Sequence, residues 1–320
     1  MATHYSKNDP GLPFTLVTGG GLTGFQNLKK ILLACLVTGY GAKVAAGWSL
    51  EAEGPAYVVL ANGPKSGYLC FTFQGAVQVY LAKTFTGMAG NFMTGEGLKS
   101  GTAANNLAPQ CLGFYWVFSN LPSNTWTVVA DAKSFVFAAN GFHSGNTLID
   151  NANSYSAATF FCGEDSVGNF LSVGGNNMTG PSETGALDQF DQRGMTCLNN
   201  PNTGLLVGAS GSLSVAVPSM FGYTPARFTF CTIPEEVELA RVYWGIPGGL
   251  SAGYLRGVAN PGMGAVGCGA IHTAYGRPGL LTGDAHLPFD LGDTYTYIVP
   301  AMSQNAGSSL RVLTDNPRFW

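Results

Sequence analysis

The apolar runs in this chain are short, and turn residues end nearly every one of them. Tyr57–Ala61 and Tyr68–Phe73 are separated by Asn62-Gly63-Pro64-Lys65-Ser66-Gly67, and Val77–Ala82 follows Gly75. Glycine occurs 45 times in 320 residues, about twice its usual share of about 7%. Runs of this length are too short for most helices and match buried strands joined by tight turns. Phe114–Phe118, Trp126–Ala130, Phe135–Ala138, Ala158–Cys162, Leu205–Val207, Leu213–Val217, Arg227–Cys231, Leu239–Trp244, Tyr295–Val299 and Leu310–Leu313 continue the pattern. The expected fold is mainly β, an antiparallel β-sandwich or barrel with one short N-terminal helix and long Gly/Pro-rich loops.

The helix is predicted over 25–37, where Phe25, Leu28, Ile31, Leu32, Cys35 and Leu36 recur at a 3.6-residue period. Thr23 is positioned to cap its start, Lys29 and Lys30 fall on the outer side, and Gly39 and Gly41 end it. The polar segment from Asn140 to Ser156 suggests a boundary. It would divide an N-terminal β domain, 1–140, from a C-terminal β domain, 141–320, unless the chain is one continuous unit. Thr196–Thr203 reads as a loop, and 245–279, rich in Gly and Pro, as a long loop or extended arm.

Only 10% of residues are charged, against about 25% in an ordinary soluble domain. Abundant aromatics exclude disorder as the reason; a surface that packs against other subunits fits better. The net charge of −3 and the absence of a basic run argue against nucleic-acid binding. The longest tight apolar run, Ile31–Val37, is far short of a spanning helix, so no membrane insertion is expected, and the polar start carries no secretory signal. Seven dispersed cysteines, an odd number without C-x-x-C spacing, read as buried small hydrophobes in a chain made in a reducing cytoplasm.

Several motifs imitate catalytic ones. Gly19–Gly24 contains G-x-G-x-x-G ahead of the helix, but no carboxylate follows until Glu51 and βα alternation is missing. Gly249-Leu250-Ser251-Ala252-Gly253 fits a nucleophile elbow, with Asp284 and His286 downstream in the order of a serine hydrolase. Glycine and proline on both sides of Ser251 deny it the strand-to-helix turn that an elbow needs. Gly95–Ser100 lacks the glycine before Lys99 that a phosphate loop requires. The histidines, His4, His143, His272 and His286, do not pair at helical spacing. Cys268 with His272, Asp188 with Asp191, and Asp284, Asp290 and Asp293 are too sparse for a metal centre. No catalytic, cofactor-binding or metal-binding residue is assigned, and no cofactor is expected. Trp48, Trp116, Trp126 and Trp244 suit core anchors, whereas Phe319 and Trp320 at the end of the sequence imply docking against the fold or a neighbour.

Local blocks across the whole chain resemble a family of tailed-bacteriophage virion structural proteins. Leu22–Gln26, the helix through Leu32–Val37 and above all Gly39–Trp48 carry the resemblance. Tyr68–Phe71, Gln78–Leu81, Thr86–Met88, Trp126–Asp131 with Phe135–Phe137, Phe160–Asp165, Arg256-Gly257 before Pro261-Gly262, and Pro317 add to it. Cys162 and Glu164 depart from the pattern. The resemblance implies a non-enzymatic particle component of the tail, baseplate or head surface. It would be made in the host cytoplasm, located in the virion and partnered by itself as a homo-oligomer and by other virion proteins. Candidate subunit contacts are Trp244, Tyr254, Leu255, Phe319 and Trp320. Two alternatives stand beside this reading: a tail-associated protein that binds or degrades host surface glycan, and a serine hydrolase using Ser251.

Overall fold

A computed structural model describes residues 1–75, 77–97, 110–112, 122, 125–140, 157–173, 195–199, 214–216, 239–245, 251–261, 293–298 and 312–320. In chain order its elements are β1 (Thr3–Ser6), α1 (Leu22–Leu33), β2 (Ser49–Gly54), β3 (Tyr57–Ala61), β4 (Tyr68–Phe73), β5 (Val77–Ala82), β6 (Gly87–Ala89), β7 (Phe92–Thr94) and β8 (Gln110–Leu112). There follow β9 (Thr125–Ala130), β10 (Ser134–Asn140), β11 (Ala157–Glu164), β12 (Phe170–Val173), β13 (Met195–Cys197) and β14 (Ser214–Ala216). The last are β15 (Leu239–Gly245), β16 (Ser251–Pro261), β17 (Tyr297–Ile298) and β18 (Val312–Thr314).

The strands form antiparallel sheets. The first has the order β2-β3-β4-β5-β8, the middle one β1-β9-β10-β11-β12-β13, and the third β14-β15-β16-β18-β17; β6 and β7 make a separate hairpin. Side-chain alternation decides how they stack, because successive residues of a strand point to opposite faces. From the middle sheet Trp126, Val128, Phe135, Phe137, Phe160 and Cys162 join one core with Val58, Leu60, Leu69, Phe71, Val79 and Leu81 of the first sheet and with the helix. The intervening residues Val129, Val136, Ala138, Phe161 and Leu171 join a second core with Val242, Trp244, Leu255, Val258, Ile298 and Leu313 of the third sheet. The outer face of the first sheet is covered in turn, with Val59, Cys70, Tyr80 and Ala82 packed around Met93 of the β6–β7 hairpin. The molecule is therefore a sandwich extended to three layers, with the middle sheet buried on both faces. That is why Thr125–Ala130 and Ala157–Glu164 read as nearly continuous apolar runs rather than alternating ones.

The helix closes the first core. Phe25, Leu28, Ile31 and Leu32 are fully buried. Lys29 lies across the helix surface, donating to the Gly54 carbonyl at 2.9 Å and standing 3.5 Å from Glu53, while Lys30 donates to the Thr15 carbonyl at 3.0 Å. The α-helix begins three residues earlier than the periodicity predicts, and its last turn, Ala34–Thr38, widens to a π-turn closed by the Gly39 amide on the Ala34 carbonyl at 2.8 Å. Gly39 then leaves the helix at φ 72°. A Cβ there would lie 2.6 Å from the Lys43 carbonyl oxygen, so only glycine fits. Thr23 does not cap the start. Gly21 holds that position without any side-chain cap, and the carbonyls of Gly20 and Gly21 take the first turn's amides.

Two expectations about organisation are corrected. A domain boundary at 140/141 would cut the β10–β11 pair, which runs from Ser134↔Gly163 to Asn140↔Ala157. The first core likewise joins Phe25 and Trp48 to Phe160, Phe170 and Leu198. The segment 245–279 is not one loop, because β16 occupies Ser251–Pro261 and pairs with β15 and β18. Its glycines mark close approaches on a strand. Gly253 lies under the Asp165 carboxylate, and Gly257, at φ 71°, under the Trp320 indole. The loop predicted from Thr196 overlaps β13. The segment 140–156 beyond Asn140, and the predicted strands at 114–118, 205–207 and 227–231, lie outside the described residues.

Candidate functional site: a polar seam across the sheets

At one end of the stack, turns of the first and middle layers meet strands β15 and β16 of the third. The chain is so poor in charge that each carboxylate there is conspicuous, and each is held by several donors. Asp131, at the β9–β10 turn, accepts the Lys133 and Ser134 amides on Oδ1 at 2.9 and 3.0 Å. Its Oδ2 accepts from Arg256 Nη2 of β16 at 2.6 Å. The Asp131 carbonyl accepts the Trp48 indole N–H at 2.9 Å, and the neighbouring Ala132 carbonyl accepts the Gly63 amide at 2.7 Å. First, middle and third sheets are thus joined through one turn.

Glu164 and Asp165, at the β11–β12 turn, make the adjoining part. Glu164 accepts from Asn62 Nδ2 at 3.2 Å and pairs with Lys133 at 3.4 Å. Asp165 fills both oxygens: Oδ1 takes the Val167 and Asn169 amides at 2.9 and 2.8 Å, and Oδ2 takes Asn169 Nδ2 at 2.8 Å and Trp244 Nε1 at 2.7 Å. Ser166 pairs with the Tyr254 backbone in both directions, its amide donating at 3.1 Å and its Oγ accepting at 3.0 Å. The tip of the β11–β12 hairpin therefore caps the β15–β16 pair.

Chemically, the seam holds the layers in register. Its carboxylates accept hydrogen bonds from fixed neighbours. Among the described residues no group of three or more His, Cys, Asp or Glu is placed to hold a metal ion. Burial pushes the thiols of Cys70, Cys162 and Cys197 up to about 12 and raises Cys35 as well, so these cysteines act as small apolar side chains. Ser251 opens β16, paired with Gly245 beside a register shift, on a strand rather than at a strand-to-helix turn. Asp284, His286, His143, His272, Cys268, Asp188, Asp191 and Asp290 lie outside the described residues, while Asp293 accepts from Tyr297 Oη at 2.6 Å. Gly19–Gly24 leads into the helix, but 14–17 is not a strand, so the dinucleotide pattern lacks its first element.

The five candidate contact residues fare differently. Trp244 and Leu255 are fully buried in the second core, and Phe319 is 2% exposed. All three pack within their own chain, which corrects their reading as subunit contacts: β15 and β16 turn Trp244 and Leu255 onto the middle sheet, and Phe319 is buried in the 3-10 turn Pro317–Phe319 that follows β18. Trp320 docks on its own fold. Its indole N–H donates to the Thr314 carbonyl at 2.6 Å, and the Arg256 guanidinium lies 5.5 Å from its ring centre. Tyr254 lies on the face of β16 opposite Leu255. It is half-buried, meets Tyr243 edge-on at 6.0 Å and carries the Arg241 guanidinium 4.6 Å from its ring centre. In the sequence Asp131, Glu164, Asp165 and Arg256 stand only within the resembling blocks and not among the candidate site residues. The usable signal was a lone charge directly after, or inside, an apolar strand.

Gly257→Ala is expected to lower stability by about 2 kcal/mol in urea unfolding, because it places a Cβ at a left-handed φ under the Trp320 ring. In a Trp320→Ala background the same change should cost less, since only the backbone strain remains.

No family model, curated protein or solved structure matches the chain.

Proposed function

We propose that the chain is a structural component of a bacteriophage virion, assembling with copies of itself and with other virion proteins in the tail or baseplate or on the head. One observation carries this reading. The blocks that resemble the virion family are scattered in sequence, yet they supply much of the seam: Trp48 from Gly39–Trp48, Asp131 from Trp126–Asp131, Asp165 from Phe160–Asp165, and Arg256 with Gly257. A pattern converging on the ties between layers behaves as the signature of one architecture. Sparse charge supports the same reading. Lys29, Lys43, Lys65, Lys133 and Arg256 all face carboxylates of their own chain, which leaves them less free to solvate the surface. Apolar burial between subunits would drive assembly. The test is quantitative mass spectrometry of purified particles from a phage that encodes the chain. A fixed copy number per particle is expected, and absence from the particles overturns the proposal.

A second reading follows from the cluster of Arg241, Tyr243 and Tyr254. Aromatic rings beside a guanidinium suit a host surface glycan. The isolated chain would then bind host cells, and Tyr254→Ala would abolish that binding without changing the unfolding midpoint.

A further inference from the structure

The first strand, β1, is an edge strand. Among the described residues it pairs only with β9, in the register Thr3↔Ala130 to Ser6↔Thr127. Four residues of ladder are a weak attachment, yet Tyr5 is fully buried in the first core. What fastens the strand beyond its ladder is a compact set of polar contacts centred on His4. His4 Nε2 lies 2.8 Å from Thr127 Oγ1. The Thr127 hydroxyl donates its one proton to the Tyr5 carbonyl at 3.0 Å. Nε2 must therefore be the donor to Thr127, which places the imidazole's free lone pair on Nδ1. Lys43 Nζ donates to the His4 carbonyl at 2.8 Å and stands 3.6 Å from Asp9 Oδ1. Asp9 Oδ2 accepts the Ser6 amide at 2.7 Å and the Tyr40 hydroxyl at 2.9 Å. The Tyr5 hydroxyl donates to the Val44 carbonyl at 2.6 Å.

We propose that β1 is an acid-releasable clasp, in which a second proton on His4 detaches the strand from β9 and opens one edge of the middle sheet. The added proton would sit on Nδ1, which has no hydrogen-bond acceptor among the described residues, and it would bring a second cation beside the Lys43 ammonium. Thr127 of β9 already accepts the Nε2 proton and offers no compensation. Asp9, in the turn after β1, and Asp315, after β18, attract the charge, but Asp9 is already engaged by Lys43, Tyr40 and Ser6. Tyr5, Tyr40 and Cys35 are held neutral by burial and do not offset it. Burial first, then Lys43, depresses the imidazole to about 4, against an ordinary value near 6.5. Between those values the released strand binds a proton that the docked strand refuses, so acid favours release. Above pH 6.5 neither form takes the proton, and docking is at its strongest.

The experiment is amide hydrogen exchange on the intact chain, with protection factors corrected for intrinsic rates, between pH 7.5 and 5.0. Protection of the β1 amides and of Lys7 should fall about thirty-fold over this range. Amides of β3, β4 and β10 should keep theirs, which separates release of the clasp from global unfolding. His4→Gln, a neutral side chain that still donates to Thr127, should remove the pH response. A flat protection profile for β1, a fall shared equally by β3, β4 and β10, or the same response in His4→Gln overturns the proposal. If the variant does not fold, NMR titration of the His4 ring in the unaltered protein decides: an ordinary value near 6.5 overturns the clasp, and a value well below it supports it.

Discussion

Arg256→Met is expected to lower the free energy of unfolding by about 4 kcal/mol, and Asp131→Asn by about 3 kcal/mol, while the double substitution costs clearly less than the sum. The asymmetry follows from burial. The two side chains of the pair are 9% and 16% exposed, and Arg256 Nη2 meets Asp131 Oδ2 at 2.6 Å. Removing the guanidinium leaves a carboxylate in a site with little water, facing only the two turn amides that it already holds on Oδ1. The side-chain amide introduced by Asp131→Asn would keep one oxygen for those backbone amides, so the smaller loss is expected there. Removing both charges relieves the desolvation that each single change exposes. Arg256 Nη1 is buried without a hydrogen-bond partner among the described residues. The native pair is therefore imperfectly satisfied, and a methionine stem can still pack against Trp320. Urea unfolding of the four proteins measures the cycle. Strict additivity would mean that the two groups hold the layers independently, and the seam would then be no unit.

The fold was legible where local pattern and tertiary position agree. Tyr57–Ala61, Tyr68–Phe73 and Val77–Ala82 coincide with β3, β4 and β5 because each is an apolar run bounded by turn residues. Some of the strands that escaped detection are of another kind. Thr3–Ser6 and Ser49–Gly54 are edge strands, polar in sequence, and ladder pairing with β9 and β3 rather than apolar pattern makes them strands. Ser251–Pro261 contains Gly253, Gly257 and Pro261, and reads as a loop until Asp165 and Trp320 are placed above its glycines. No single-chain pattern carries that information, since both covering residues are distant in sequence. The same reason hid the seam. Its members come from separate turns and from β15 and β16, and each carboxylate or guanidinium is only a lone charge until the layers stack. Trp244 and Leu255 looked available for a partner because apolar size says nothing about which face of a strand is covered.

Phe160→Ala should reduce stability by about 4 kcal/mol, and Phe161→Ala by a similar amount. Phe160 lies at the centre of the first core, with ring centres of Phe137, Phe71 and Phe135 at 4.9, 5.8 and 6.0 Å. It is fully buried, so truncation removes the transfer energy of the ring and leaves a cavity that stiff β-strands cannot collapse into. Its neighbour Phe161 points the opposite way, into the core shared with Trp244 and Leu255 of the third sheet. In an ordinary two-layer sandwich one of two adjacent strand residues faces solvent, and its truncation costs little. Both are buried here because β11 lies in a sheet covered on each side. Val167, 66% exposed at the tip of the β11–β12 turn, provides the control, with an expected effect within about 0.5 kcal/mol for Val167→Ala. Urea unfolding of the three variants tests the layering directly. A large loss at Phe160 with near-neutral behaviour at Phe161 would leave the third sheet without its apolar seat on the middle one.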